Sequence, residues 1–373
     1  MHAMSSKIEP RFSKSRRPSR GGAFGKFLLL AGVGGVLVAV AGYLYLKSWG
    51  NTPKPLAEPV VINFPRGTSG QGLAQTLEKN AAISDGRRFQ IWARLFSESN
   101  KFQAGLYRFE GAVSPAQIAE AISAGKIYEP IVVQFTIPEG FTVKQFIERL
   151  VANKVGTKEE LEVLIRDKAF LASLKIPTNT FEGYLYPATY SFTKMIDAKT
   201  AFKTVVDTFW EKLPANYEND LKTLGLTLNQ GVIFASLIEL ETLHEDEKPL
   251  VSEVIWRRLK SKQPLAIDAA LIYGIKDYKG DITWKNLRDR SNPFNTRLHA
   301  GLPPSAIGSP SASSMTAVLN PTDHGYWFYV LNLKNGNRHH FSKTLAEHNS
   351  YVKELVKATK KPEKTTTVGQ QNK

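Results

Sequence analysis

This sequence predicts an α+β protein carried on a single N-terminal transmembrane helix. Three observations support that expectation. An uncharged apolar run of membrane length lies near the N-terminus, and a strand–turn–helix unit occurs twice after it. In the second half, helices alternate with long loops rich in aromatic residues, glycine and proline.

The apolar run is FLLLAGVGGVLVAVAGYLYL, residues 27–46, bracketed by Lys26 and Lys47. A helix of that length, rising ~1.5 Å per residue, spans ~30 Å of hydrocarbon. Seven Lys and Arg residues stand in 1–26 against Glu9, so the positive-inside rule puts the N-terminus in the cytoplasm and the soluble mass on the other side. Tyr43, Tyr45 and Trp49 fall where an aromatic belt belongs. Ala39-Val40-Ala41 offers a rival reading, a leader cleaved after Ala41. The apolar run continues past that triplet through Leu46, which favours the anchor.

Three prolines in SWGNTPKPLAEP (48–59) mark a linker. Val60 to Gly67 then resembles Val133 to Gly140, each an apolar strand closing on Pro-x-Gly. Thr68-x-x-Gln71 and Thr142-x-x-Gln145 each offer a capping box, and Leu73, Ala74 and Leu77 align with Phe146, Ile147 and Leu150. Between the copies, helices are expected at 85–96 and 114–124 and a strand at 105–109; Thr157-x-x-Glu160 caps a further helix. The pattern divides the chain into a basic tail (1–26), the membrane helix (27–46), a linker (47–58), a region with the internal repeat (59–175), a larger domain (176–356) and a basic tail (357–373). Tyr326 to Leu333, Asn335-Gly336 and Arg338 to Phe341 read as a hairpin in the larger domain.

The net charge of +15 suggests nucleic acid, but ten of those charges sit in residues 1–26 and 351–373, and no basic stripe with interleaved aromatics follows. No nucleic-acid partner is expected. Cysteine is absent, which removes disulfides, thiolate metal sites and a cysteine nucleophile.

Residues 229–243 (NQGVIFASLIELETL) are apolar on nearly every face, which predicts a buried helix, yet they contain Glu239 and Glu241. Two residues apart on a helix places these side chains roughly 200° apart, on opposite faces, so they cannot easily share one site. Glu241 lies over Ile238, Leu237 and Phe234, whereas Glu239 lies over Ser236, Ala235 and Val232. Apolar surroundings raise a carboxyl pKa toward the range a general acid needs, so Glu241 is the candidate acid and Glu239 the structural, hydrogen-bonded residue at the cleft. Glycoside hydrolysis ordinarily wants a second carboxylate, for which Asp268 is the nearest candidate; a helix cap before Ala269 is its simpler role. Five histidines fall after residue 298, but only one Glu-x-x-His and no His-Glu-x-x-His occur, so no metal or other cofactor is expected. A Gly-x-Ser-x-Gly elbow is also missing.

The ordered strings FEGYLYPATY (181–190), ASLIELET (235–242), LVSEVIWRRL to IDAALIYG (250–274), FNT (294–296), AGLPPSAI (300–307) and FSKTLAEHN (341–349) resemble the endolytic murein transglycosylases, or YceG-like proteins. The resemblance implies one transmembrane helix, a LysM-like strand–helix stalk and a mixed α+β catalytic domain outside the bacterial inner membrane, on the periplasmic side. It implies cleavage within peptidoglycan glycan strands between N-acetylmuramic acid and N-acetylglucosamine, leaving 1,6-anhydromuramoyl ends and terminating nascent strands. The family's essential glutamate maps onto Glu241. Asp268, Tyr273, Asn295, Thr296 and the Gly301-Leu302-Pro303-Pro304 loop match family motifs and are assigned to the glycan cleft. Cell-wall synthases are the protein partners the resemblance implies. Arg257, Ala266, Ala269, Phe294 and Ala188 depart from the family's usual residues, which bears on substrate preference. Two alternatives stay open: a muramidase-type hydrolase using Glu241 with Asp268, and a non-catalytic glycan-binding scaffold.

Overall fold

The computed structural model describes residues 21–359, with side chains from Phe27; the expected basic tails lie almost wholly outside that range. The chain forms two compact units, Met1–Pro130 and Ile131–Lys373.

The first unit begins with α1 (Gly21–Asn51), which contains the apolar run and continues five residues beyond it. Its side chains from Phe27 to Leu44 are exposed, as a helix surrounded by lipid requires. Strands β1 (Lys54–Pro55) and β2 (Val60–Phe64) follow, then α2 (Gly70–Lys79) and α3 (Gly86–Phe96). The unit closes with β3 (Gly105–Phe109), β4 (Ala112–Val113) and α4 (Pro115–Ser123). β2 pairs antiparallel with β3, Val60 opposite Phe109, and β1 with β4. Alternation buries Ile62 and Phe64 against Leu73, Leu77, Phe89, Trp92 and Ile118. The expected Thr68–Gln71 capping box does not form. Gly67, at φ +85°, completes the turn after Pro65, and the Thr68 hydroxyl closes that turn onto the Pro65 carbonyl (2.6 Å). The cap passes to Ser69, whose hydroxyl accepts from the Gly72 N–H at 3.1 Å.

The second unit opens with the other copy of the repeat, β5 (Val133–Ile137) and α5 (Val143–Ala152). Here Thr142 and Gln145 do make the reciprocal box. β5 pairs with β6 (Ala188–Phe192), Val133 opposite Phe192, after α6 (Lys158–Leu164) and α7 (Lys168–Ser173). Next come α8 (Ala198–Lys212), α9 (Tyr217–Thr223), α10 (Leu228–Glu241) and α11 (Lys248–Lys260). Shorter α12 (Asp268–Tyr273), α13 (Trp284–Leu287) and α14 (Ala312–Leu319) alternate with loops. The hairpin β7 (Phe328–Asn332) and β8 (Arg338–Ser342) and the helix α15 (Leu345–Thr359) complete the mixed α+β unit.

Every residue of α10 from Gly231 to Glu239 is buried, in keeping with its lack of a polar face. The helix stops at Glu241, two residues short of the expected Leu243, because Thr242 turns extended and its hydroxyl donates to Glu247 at 2.9 Å. α10 sits in a core where Phe202 contacts Phe146 and Phe181, ring centroids 5.0 and 4.6 Å apart. Phe202 is fully buried, so Phe202→Ala removes a ring from this cluster and leaves a cavity. Urea unfolding should show a loss of about 3–5 kcal/mol; an unchanged midpoint would place the ring outside the stabilising core.

Candidate active site

Glu241 occupies the last position of α10, half-buried, where the helix leaves its apolar surroundings. Desolvation pushes its carboxyl up to about 7, and nearby Asp268 pushes the same way; hydrogen bonding by Tyr329 and the charges of Arg258 and Arg297 oppose them. The C-terminal end of the helix adds to the cost of a negative charge there. Tyr329, on β7, lies beside Glu241 with its hydroxyl favouring the carboxylate, and burial there lifts its own pKa well above the usual tyrosine range.

Arg258 fixes the surroundings. From α11 it donates to the Trp327 carbonyl (3.1 and 2.9 Å) and the Leu265 carbonyl (2.5 Å), and its guanidinium lies 5.5 Å from the Phe328 ring centre. One side chain therefore ties the start of β7, which carries Tyr329, to the segment leading into Asp268. Five residues earlier on the same helix, Glu253 accepts from the Thr322 hydroxyl and the backbone N–H groups of His324, Gly325 and Tyr326 at 2.6 to 3.1 Å. Burial pushes this carboxyl up, but those donors outweigh it and hold the pKa at about 2.

The hairpin is also fastened to the segment just after Glu241. His244 Nε2 lies 2.9 Å from the Gly336 carbonyl oxygen, Arg338 pairs with Asp246 at 2.8 Å, and His339 Nδ1 lies 2.8 Å from Glu247. Glu247 joins the two sides, since it also accepts from Thr242.

Asp268 stands next to Glu241 electrostatically, but the helix-cap role expected for it is not observed. Ile267 holds the cap position, and the Asp268 carboxylate pairs with Arg297 at 2.5 and 3.2 Å. Asn295 and Thr296 are buried, and their polar groups point into the protein. Asn295 donates to the carbonyls of Asn286, Leu287 and Asp289 at 3.1 to 3.3 Å and accepts from the Arg297 N–H at 3.2 Å. The Thr296 hydroxyl accepts from the Ile267 N–H (2.9 Å), and its carbonyl accepts from Ala266, a residue at φ +55°. These contacts position Arg297 and Asp268; they leave no group of either residue free for a sugar.

Tyr273 belongs to another group. Its hydroxyl donates to Glu182 at 2.9 Å, and its ring lies 4.8 Å from Phe294. Glu182 is buried, accepts from the Val143 N–H, and is raised to about 7 by desolvation. A cavity of 580 Å³, lined in part by Thr142, Lys144, Glu182 and Tyr273, opens there. Gly301, at φ +90°, has open space around it, while Leu302 is half-buried and Pro303 buried. Glu239 is tied inside the unit, as its helical face predicts: it accepts from the Ser311 N–H (2.6 Å) and hydroxyl (2.5 Å) and faces buried Lys248 at 3.2 Å.

Sequence reasoning missed Arg258, Arg297 and Tyr329 as neighbours of Glu241, and Glu182 as a second buried acid. For Arg258, Tyr329 and Glu182 the available signal was a charged or hydroxyl group inside an otherwise apolar or aromatic string, as in IWRRL, WFYVL and FEGYLY; Arg297, in FNTRLH, carried none.

The raised pKa carries a stability consequence. From about pH 4.5 to 7 the folded chain keeps a proton on Glu241 that the unfolded chain releases, so stability falls as pH rises through that window. Glu241→Gln removes the loss: urea unfolding should match wild type near pH 4 and exceed it by on the order of 2–3 kcal/mol near pH 8. Coincident curves at both values would mean that the carboxyl is solvated. Tyr329→Phe deletes the hydroxyl that opposes the shift, so infrared titration should place the Glu241 carboxyl above its wild-type pKa; a downward shift would contradict that role.

Residues 62–354 match the YceG-like family. A Bacillus subtilis protein named endolytic murein transglycosylase is 26% identical over 345 residues, covering 86% of this chain and 91% of that protein. A Streptococcus pneumoniae protein of the same name is also 26% identical, over 78% of this chain and 58% of its own length. The crystal structure of a YceG-like protein from Listeria monocytogenes superposes with a TM-score of 0.53 at 29% identity, over 79% of this chain and 99% of that one. With the match covering most of its length, this chain belongs to the YceG-like family.

Proposed function

We propose that this protein is a membrane-anchored endolytic lytic transglycosylase that cuts the β-1,4 bond between N-acetylmuramic acid and N-acetylglucosamine in peptidoglycan strands. The observation that carries the proposal is the placement of the Glu241 carboxyl at the end of buried α10, beside Tyr329, Arg258 and Arg297, where desolvation pushes it up to about 7. A group with that pKa is protonated in part of the population at neutral pH and is a competent base once it has given the proton up.

In the proposed cycle, Glu241 protonates the glycosidic oxygen and the C1–O4 bond breaks. The C6 hydroxyl of the same muramic acid residue attacks C1, and its proton passes to the Glu241 carboxylate. A 1,6-anhydromuramoyl end forms, no water is consumed, and the acid is regenerated. The attacking group is part of the substrate and so acts at high effective concentration, which replaces the second carboxylate of ordinary glycosidases. Pairing of Asp268 with Arg297 favours this route over the muramidase reading, in which Asp268 must be free to activate water or attack. The remaining assignments are of a piece with it: α1 as a single-pass anchor with its N-terminus inside, a LysM-like region over 59–175 and a catalytic domain over 176–356, termination of nascent strands, and association with cell-wall synthases.

The test is mass spectrometry of glycan fragments released from peptidoglycan by the full chain. Products should be lighter by one water than those of a muramidase, and Glu241→Gln should lower the rate by about 10²–10⁴-fold. Reducing-end products would favour hydrolysis, and an active Glu241→Gln variant would refute the assignment.

A further inference from the structure

Helix α3 presents an unpartnered face beside the end of the membrane helix. Arg88, Trp92 and Phe96, spaced four apart, form the row that meets α1. The Arg88 guanidinium lies 5.6 Å from the Tyr45 ring centre and 5.4 Å from that of Trp49, and its N–H donates to the Tyr45 hydroxyl at 3.0 Å. The Phe96 ring is 4.9 Å from that of Tyr43, and Trp92 packs against Gly50. α3 therefore lies level with Tyr43 to Gly50, where the apolar run ends and the headgroup layer begins.

Ile91 and Leu95 each precede a member of that row by one residue and so flank it, at roughly 100° from their successors. They are 53% and 60% exposed, although the buried face of the same helix packs well. Arg87 and Arg94, both exposed, border them on the side away from α1, and neither joins an ion pair among the described residues. Aliphatic side chains next to the membrane exit with arginines just beyond them are the arrangement of a helix lying in an interface, apolar stems in the acyl boundary and guanidinium groups on lipid phosphates.

We infer that α3 is a second membrane contact, which lays Ile91 and Leu95 into the bilayer surface beside the anchor while Arg87 and Arg94 bind headgroup phosphates. The inference rests on the reading of α1 as a membrane anchor. It follows from the contacts within the first unit and holds for either orientation of α1. Its effect is to hold that unit against the bilayer and restrict its rotation about α1.

The chain lacks cysteine, so single labels can be placed without a background. Spin labels at Ile91→Cys, Leu95→Cys, Val36→Cys within the apolar run and Val163→Cys on exposed α6 are read in the full chain, in vesicles of mixed zwitterionic and anionic lipid. The 91 and 95 labels should be open to oxygen but about fivefold or more less accessible than 163 to an aqueous nickel complex. Accessibility to nickel equal to that at 163 would overturn the inference, with the Val36 label still buried in lipid and the anchor intact. Exclusion of both oxygen and nickel would also overturn it, because a second protein would then cover the face. A Val36 label open to nickel would bring down the anchor reading and this one with it.

Discussion

A carboxyl group at the end of a helix buried from Gly231 to Glu239 constrains everything around it. α10 has no polar face, so its burial is the default outcome of folding, and Glu241 comes with it to the point where the core ends. The cost of desolvating that group is met in part by hydrogen bonding and nearby positive charge, and those partners come from segments far away in the chain. α11, the loop at 295–297 and the β7–β8 hairpin are each held in place by buried or half-buried polar contacts of their own. The site is thus a set of loops tied to a rigid helix, the arrangement expected where loops supply chemistry and the core supplies precision.

The two glutamates of one helix show how burial can be resolved in opposite ways. Glu239 receives a buried lysine and two donors from Ser311. Glu241 receives weaker compensation and keeps the option of holding a proton. Two residues along a helix suffice to separate a structural ion pair from a titratable acid, because they face opposite sides.

Periodicity made much of this legible beforehand. The apolar run, the strands at 60–64 and 133–137, the helix with its two unlike glutamates and the terminal hairpin all depend on local pattern, and the structure has each of them. Ends were less legible: a turn claims the Thr68 hydroxyl, and Glu247 draws Thr242 out of the helix. Partners were hidden for a different reason. Tyr273 and Glu182 meet across 91 residues, and Asn295 and Thr296 could be recognised as hydrogen-bonding residues but not as ones that bond inward. A sequence shows which groups need partners, whereas only the fold decides which partners arrive.

The hairpin that brings Tyr329 to Glu241 is a two-stranded ribbon whose residues are mostly half-buried, and such ribbons gain little stability of their own. Its fastening to residues 244–247 is polar, and the Arg338–Asp246 pair in it is open to water, which can replace such contacts at small net cost. Lifting the ribbon would withdraw the tyrosine and admit solvent in one movement, with opposite effects on the carboxyl. The acid strength of Glu241 therefore depends on the ribbon staying seated, and the buried His339–Glu247 contact and the stacking of His340 on Tyr351 of α15 hold it there.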